Sequence, residues 1–546
     1  MEELCQTWDR NLVCLHDGRS RHQVRGGSKK LMLKHSDSRI DWLIFFGSVA
    51  TIILLCIPLA LNPDSGKQFL ENAFDYLTEN FGFLYVLAAI VVFGFLLYLA
   101  FGRYGNISFG DAEPEFSSFS WCAMLFCGGI GTSVLYWGTV EWAYYFQDPP
   151  YGLEARSPDA LLWSITYPIF HWGFLGWGFY CLPGIAAGLA FYRGGAKSLR
   201  LSEACAPVLG RLSQGLLGRF IDFLYLVGLI GAVSTGLGLA VPLLAELVAK
   251  LLYLDREQIG FVLDVLVIMT ISLIFCASVW VGLEKGVKRL SNLNVYFAFF
   301  LLSFVFIAGP TLFIVEMGVS SIGHLVQNFI KMSTWLDPVR KSDFVETWTI
   351  FYWAWWVALG PYMGIFIARI SKGRTLKQII LGCLFYGTLG CTLFFIVFGN
   401  YAAYLELNGL IAVLSTLTDA GAPIAIIQVL ETLPWSTLVL IAFTLLCIIF
   451  AATSFDSASY TLAMVATKEL GPDEHPDKWH RMFWACLISL LPITLIYMGG
   501  LKPLQSAVTL ASIPLLIIFG VMVWGLKINL TKLELSGATR RSSNGD

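Results

Sequence analysis

Apolar runs of the kind that cross a lipid bilayer recur along this chain of 546 residues, for example Phe83 to Phe101 and Leu438 to Ala452. A helix needs about 20 such residues to span the hydrocarbon core, where every backbone polar group must be satisfied within the segment. Charged residues make up only 14% of the chain and hydrophobic residues 56%, against about 25% charged in a soluble domain. Apolar runs bounded by charged or Pro/Gly segments predict an all-α integral membrane protein with twelve spans. Their extents are 41–61, 82–102, 117–147, 158–192, 216–251, 258–280, 292–318, 344–370, 375–402, 435–467, 479–499 and 503–526. The third, fourth, fifth and tenth are too long to cross upright and must tilt, break or project.

Lysine and arginine set the orientation, because basic loops stay on the cytoplasmic side. The N-terminal tail carries eight, from Arg10 to Arg39. Basic clusters then follow every second span: Arg193 to Arg211, Lys285 to Arg289, Arg369 to Lys377 and Lys468 to Arg481. The opposite loops are nearly bare, and residues 403–434 contain no Lys or Arg. Both termini are therefore expected in the cytoplasm. A net charge of −2 argues against nucleic acid as a partner. The twelve cysteines are scattered without metal-ligand spacing and read as small buried hydrophobes. No Walker pattern is present, so an ion gradient is the expected energy source.

Two spans contain helix breakers. The third has Gly128-Gly129-Ile130-Gly131, and glycine costs a helix about 1 kcal/mol relative to alanine. The run reads equally as an unwound segment exposing carbonyls or as close helix packing. The eighth has Gly360-Pro361, which predicts a kink. These spans open two sets of five, 3–7 and 8–12, and matched interruptions point to an inverted-repeat transporter with a midplane site.

Aromatic residues concentrate in the fourth and eighth spans. Trp172, Trp177 and Tyr180 can share one broad helical face, as can Trp348, Tyr352, Trp355, Leu359 and Met363, with Trp356 beside them. Facing aromatics attract a desolvated cation with about 2 kcal/mol or more per ring, and a quaternary ammonium suits them because it has no N–H to satisfy. Interhelical packing is the alternative reading of the same residues.

Several long segments carry a resemblance. They are Phe351-Tyr352-Trp353-Ala354-Trp355-Trp356 with Phe366 to Thr375, Phe170-His171-Trp172, Tyr136 to Glu141, Leu290 to Asn294, and Gly499-Gly500-Leu501-Lys502-Pro503. They resemble the betaine/choline/carnitine transporter family, over about residues 40 to 526. The resemblance implies a LeuT-type 5+5 inverted repeat preceded by two extra helices, in a bacterial plasma (inner) membrane, usually as a homotrimer. The chain then divides into a tail 1–40, two peripheral helices 41–102, a first repeat 103–318, a connecting segment 319–343, a second repeat 344–526 and a short tail 527–546. It implies a substrate box of Trp172, Trp177, Tyr180, Trp355 and Trp356, with Tyr144, Met363 and Trp348 nearby. Leu359 departs from the family's betaine carriers, which have tryptophan there.

Thr453 and Ser454 are adjacent hydroxyls within the tenth span, read either as helix back-bonders or as oxygens for a monovalent cation. By resemblance they join Phe450, Cys127 and Ile130 in a sodium site, sodium being the coupling ion and no other cofactor being expected. Asn294 and Ser454 both match the sodium-coupled members rather than the sodium-independent carnitine antiporters. A second sodium site is doubtful, because Gly231 replaces a hydroxyl residue although Thr235 and Tyr362 match. Ser133 stands where proton-coupled choline carriers have aspartate. Glu141, His171, Asp222 and Asp456 are ionisable groups within spans, and each is a functional-site hypothesis by default. Structural roles are favoured for Asp222, Asp456 and His171. Sodium-coupled symport is the reading, with substrate/product antiport as its alternative. A membrane-embedded enzyme lacks convergent acid–base groups. A dedicated osmosensor is not expected from a short C-terminal tail.

Overall fold

The computed structural model describes residues 40–129, 131–196, 199–281, 284–468 and 475–535; no side chains are described for 278, 281 and 284–293. The basic tail up to Arg39, Ile130, Lys197 and the end of the C-terminal tail lie outside the described residues. So do the side chains of Lys285, Lys288, Arg289 and the Leu290–Leu293 stretch. Among the described residues the protein is helical, with only two isolated β-bridges.

The helices are α1 (Trp42–Leu61), α2 (Pro63–Phe101), α3 (Ser118–Gly128), α4 (Thr132–Gln147), α5 (Pro158–His171), α6 (Phe174–Tyr192), α7 (Leu216–Leu252) and α8 (Phe261–Val281). They continue as α9 (Glu284–Ala308), α10 (Thr311–Thr334), α11 (Val345–Ile370), α12 (Leu376–Leu407), α13 (Ala422–Glu431), α14 (Ser436–Val465), α15 (Lys478–Met498) and α16 (Lys502–Leu535). Among the described residues, nine stretches are long and apolar enough to cross a membrane, or eleven if each bent pair counts as one span. Every one of the twelve segments expected from sequence is helical. Starts follow local chemistry: Ser117 and Ser157 accept the amides of Ser120 and Ala160, Pro158 sits in the first turn, and Thr375 with Gln378 forms a capping box.

Two expectations need correction. The seventh span does not run on to residue 318. Pro310 has no amide to continue the ladder, so α9 ends at Ala308 and α10 leaves at 109°. Helix α10 thereby takes up most of the segment expected to be a connection. The eighth span does not break at Gly360-Pro361, which lie inside a continuous helix. Those glycines serve packing instead. A Cβ at Gly364 would stand 2.6 Å from the Gly184 nitrogen, and one at Gly360 would stand 2.8 Å from the Phe179 carbonyl, so α11 lies backbone to backbone on α6. The fourth span is two helices, α5 and α6, separated at Trp172–Gly173.

The centre of the bundle is α5–α6, whose apolar window is 89% buried, against 33% for α1. Helices α1 and α2 are peripheral; α2, with 39 residues, is about 58 Å long and projects beyond a bilayer core.

Candidate substrate site

The break in the fourth span builds the site. Pro168 and Gly173 weaken the ladder there, and Trp172 becomes the C-terminal cap of α5 while Gly173 turns to ψ −150°. A Cβ at Gly173 would lie 2.7 Å from the Ile169 carbonyl. The His171 carbonyl near the break is taken up across the bundle, where the Trp356 indole donates to it at 3.0 Å. Trp356 then lies flat on Gly176, where a Cβ would be 2.4 Å from its ring.

Around Trp356 the expected rings converge. Tyr180 lies 4.4 Å away by centroid, and Trp172 and Trp177 lie 5.9 Å away. Trp355 joins through Trp172 at 6.1 Å and donates its indole N–H to the Ala232 carbonyl of α7. Trp172, Trp177, Tyr180, Trp355 and Trp356 are all buried. The rings touch one another, so a cation entering between them exchanges ring–ring for cation–ring contacts. Met363 is half-buried beneath them, its methyl 3.6 Å from a Cβ built on Gly128. Trp348 and Tyr144 form an adjoining layer, 5.1 Å apart, with Trp137 about equally near both. Tyr352 connects that layer to Trp172. Leu359 is half-buried on the same helix.

Sequence reasoning left Glu141 open and did not foresee its partners. Its carboxylate accepts hydrogen bonds from the Tyr352 hydroxyl (2.6 Å), the Tyr145 hydroxyl (2.7 Å) and the Trp172 indole (3.0 Å). The signal for Tyr145 was its place four residues after Glu141; nothing marked Tyr352 as reaching across from α11. His171 extends the network, with Nδ1 on the Tyr145 hydroxyl at 2.9 Å and Nε2 on Thr349 at 3.1 Å, and it stacks on Tyr352. Tyr145 spends its single proton on Glu141, which makes His171 Nδ1 the donor to the tyrosine oxygen and Nε2 the acceptor from Thr349. Both ring nitrogens of His171 are thus satisfied within the packed network. Phe395 of α12 also closes on Trp172, at 5.5 Å.

The match to known proteins covers the same elements. The family model for betaine/carnitine/choline transporters matches residues 43–534. The chain belongs to that family. It is therefore a multi-pass membrane transporter and not an enzyme. The transporter is 37% identical over 437 residues, 80% of its length and 90% of the relative's, to the uncharacterized transporter YeaV of Escherichia coli. It is 31% identical over 491 residues, 89% and 88% of the two chains, to a carnitine transporter of Acinetobacter baumannii.

Around the broken third span, α3 and α4 bend by 58°. Its glycines pack: a Cβ at Gly129 would lie 2.7 Å from Trp177 and 2.8 Å from the Cys391 sulfur, which is the close-packing reading of this run. On α14, the hydroxyls of Thr453 and Ser454 each donate to the Phe450 carbonyl at 2.9 Å. Thr132 reaches the same helix at the Cys447 carbonyl, 3.5 Å away, one turn before Phe450. Cys127 is half-buried and Ile130 lies outside the described residues. Thr235 spends its hydroxyl on Gly231 and Leu504. Asn294 ties α9 to the Leu446 carbonyl. Asp222 accepts from Ser202, and Asp456 pairs with Arg481 at 2.8 Å, both as structural groups.

Exposure is graded along the site. Residues 350–358 of α11 are buried, whereas Leu359, Tyr362, Met363 and Phe366, nearer the basic loops, are half-buried. Residues 122–124 and 126–129 of α3 are half-buried too, and Ser454 is exposed. Around the box, exposure therefore rises toward the end of α11 that leads into the basic loop.

Proposed function

We propose that the transporter carries a quaternary-ammonium or related methylated solute, of the betaine, carnitine, choline or trimethylamine type, by sodium-coupled symport with alternating access. The observation that carries this is the four-ring box of Trp172, Trp177, Tyr180 and Trp356 with the Glu141 carboxylate behind Trp172. The rings favour a methylated cation without N–H groups, and the Glu141 hydrogen bonds hold Trp172 and Tyr352 in place beside them. The name of the Acinetobacter baumannii relative makes carnitine the first solute to test. The graded exposure fits a conformation open to the cytoplasm, if the basic loops lie there as their charge implies.

Sodium coupling rests on Thr453, Ser454, Phe450, Cys127 and Ile130. The alternative is sodium-independent exchange, favoured by the two hydroxyls already being bonded to the Phe450 carbonyl. Uptake of labelled carnitine and glycine betaine into proteoliposomes distinguishes them. Symport requires uptake to collapse in sodium-free buffer and after Ser454→Ala; undiminished uptake in both cases refutes coupling. We also infer a bacterial inner-membrane homotrimer. The exposed apolar residues Phe69 and Tyr76 of α2 and Leu312, Val319, Val326 and Ile330 of α10 suit lipid and partner copies.

A further inference from the structure

A second group of aromatic rings lies at the face opposite the basic loops, and it already holds a cation. The Lys331 ammonium of α10 lies 4.0 Å from the ring centroid of Tyr151 and 4.8 Å from that of Trp163. Trp335 closes a third side, its ring 4.1 Å from Tyr151, and Trp163 lies 4.6 Å from Tyr151. Lys331 has no ion pair among the described residues and is exposed, so the rings are what hold its charge, and its chain is free to swing outward. Tyr151 sits in the left-handed region at φ 64°, fixed by a 2.9 Å hydrogen bond from Tyr167. Strained positions of this kind persist where the surroundings over-determine them, and they cluster at binding sites.

These rings are continuous with the buried box. Trp335 meets Phe344 at 6.1 Å, Phe344 meets Tyr145 at 4.9 Å, and Tyr145 meets His171 at 5.8 Å; His171 stacks on Tyr352, which adjoins Trp172. We propose that Tyr151, Trp163 and Trp335 form an outer cage for a methylated ammonium ion, with Lys331 as its resident, displaceable cation. The idea rests on the transporter taking such solutes. An ammonium is more strongly hydrated than a tetraalkylammonium head, so exchange returns Lys331 to water while a poorly hydrated cation takes its place on the rings.

The test uses the full chain in detergent and tetramethylammonium chloride as the probe, at constant ionic strength, by calorimetric titration. Trp356→Leu disables the inner box. In that background one saturable site for tetramethylammonium is expected to remain, to tighten about tenfold with Lys331→Gln, and to vanish with Trp163→Leu. A second readout needs no tryptophan variant. Saturating tetramethylammonium should raise acetylation of Lys331 by a membrane-impermeant reagent several-fold, while Lys250, paired with Glu431, stays unchanged. Loss of all saturable binding in Trp356→Leu, with wild type still binding, overturns the outer cage and leaves the inner box intact. Absence of binding in wild type overturns both. An unchanged affinity in Lys331→Gln, or unchanged acetylation, overturns the displaceable role of Lys331.

Discussion

Gly176 has no side chain where the Trp356 indole lies, and that vacancy is part of the binding box. Gly176→Ala places a Cβ 2.4 Å from the ring and pushes Trp356 off the His171 carbonyl. The expected outcome is a fold that survives and a loss of at least about tenfold in affinity for methylated cations, read by calorimetry. Glu141 acts at the same scale. Glu141→Gln keeps the volume but replaces one carboxyl oxygen by an NH2 group, so at least one of Tyr145, Tyr352 and Trp172 loses its acceptor. An unsatisfied buried group costs about 1–3 kcal/mol, so the melting temperature and cation affinity should both fall; an unchanged protein on both counts would remove Glu141 from the account. The tryptophans were legible in sequence because helical spacing puts them on shared faces. Gly176 and Gly387 were not: each is a glycine beneath a tryptophan from a distant segment, Trp356 and Trp177 respectively, and only the packing reveals it.

Among the elements, the twelve helical segments could be read from hydropathy because lipid demands long apolar helices. The length of the fourth span, 35 residues, allowed a break, but its place at Trp172–Gly173 could not be read from the uninterrupted apolar run. The consequence of the break is that Trp172 belongs to one helix and Trp177 and Tyr180 to the next. Gly173→Ala forces a Cβ to 2.7 Å from a backbone carbonyl, which cannot rotate away. Destabilisation of about 1–3 kcal/mol is expected, measured as a lowered melting temperature in detergent. The Gly360-Pro361 pair misled in the opposite direction: it read as an interruption, but the helix is continuous there and the glycines answer to the backbone of α6. The turn at Gly309–Pro310 was obscured because α10 is apolar enough on its outer side to read as a continuation of α9.

For the whole molecule, burial toward one face and exposure toward the other is what the proposed alternating-access cycle requires of one of its states. In the proposed symport, sodium binding at α14 has to release the Thr453 and Ser454 hydroxyls from the Phe450 carbonyl. Ser454→Ala is therefore expected to abolish sodium-driven uptake while leaving binding of tetramethylammonium in sodium-free buffer unchanged; loss of sodium-free binding instead would make Ser454 part of the substrate site. The central claim, however, is that ring faces bind a methylated cation. The most direct measurement is calorimetric binding of glycine betaine, choline, carnitine, trimethylamine, dimethylsulfoniopropionate and taurine to wild type and Trp356→Leu. At least one methylated ligand should bind wild type and weaken about thirtyfold in the variant, while taurine, with no methylated head, should not bind. Binding of taurine alone, or equal affinities in the two proteins, would contradict the account.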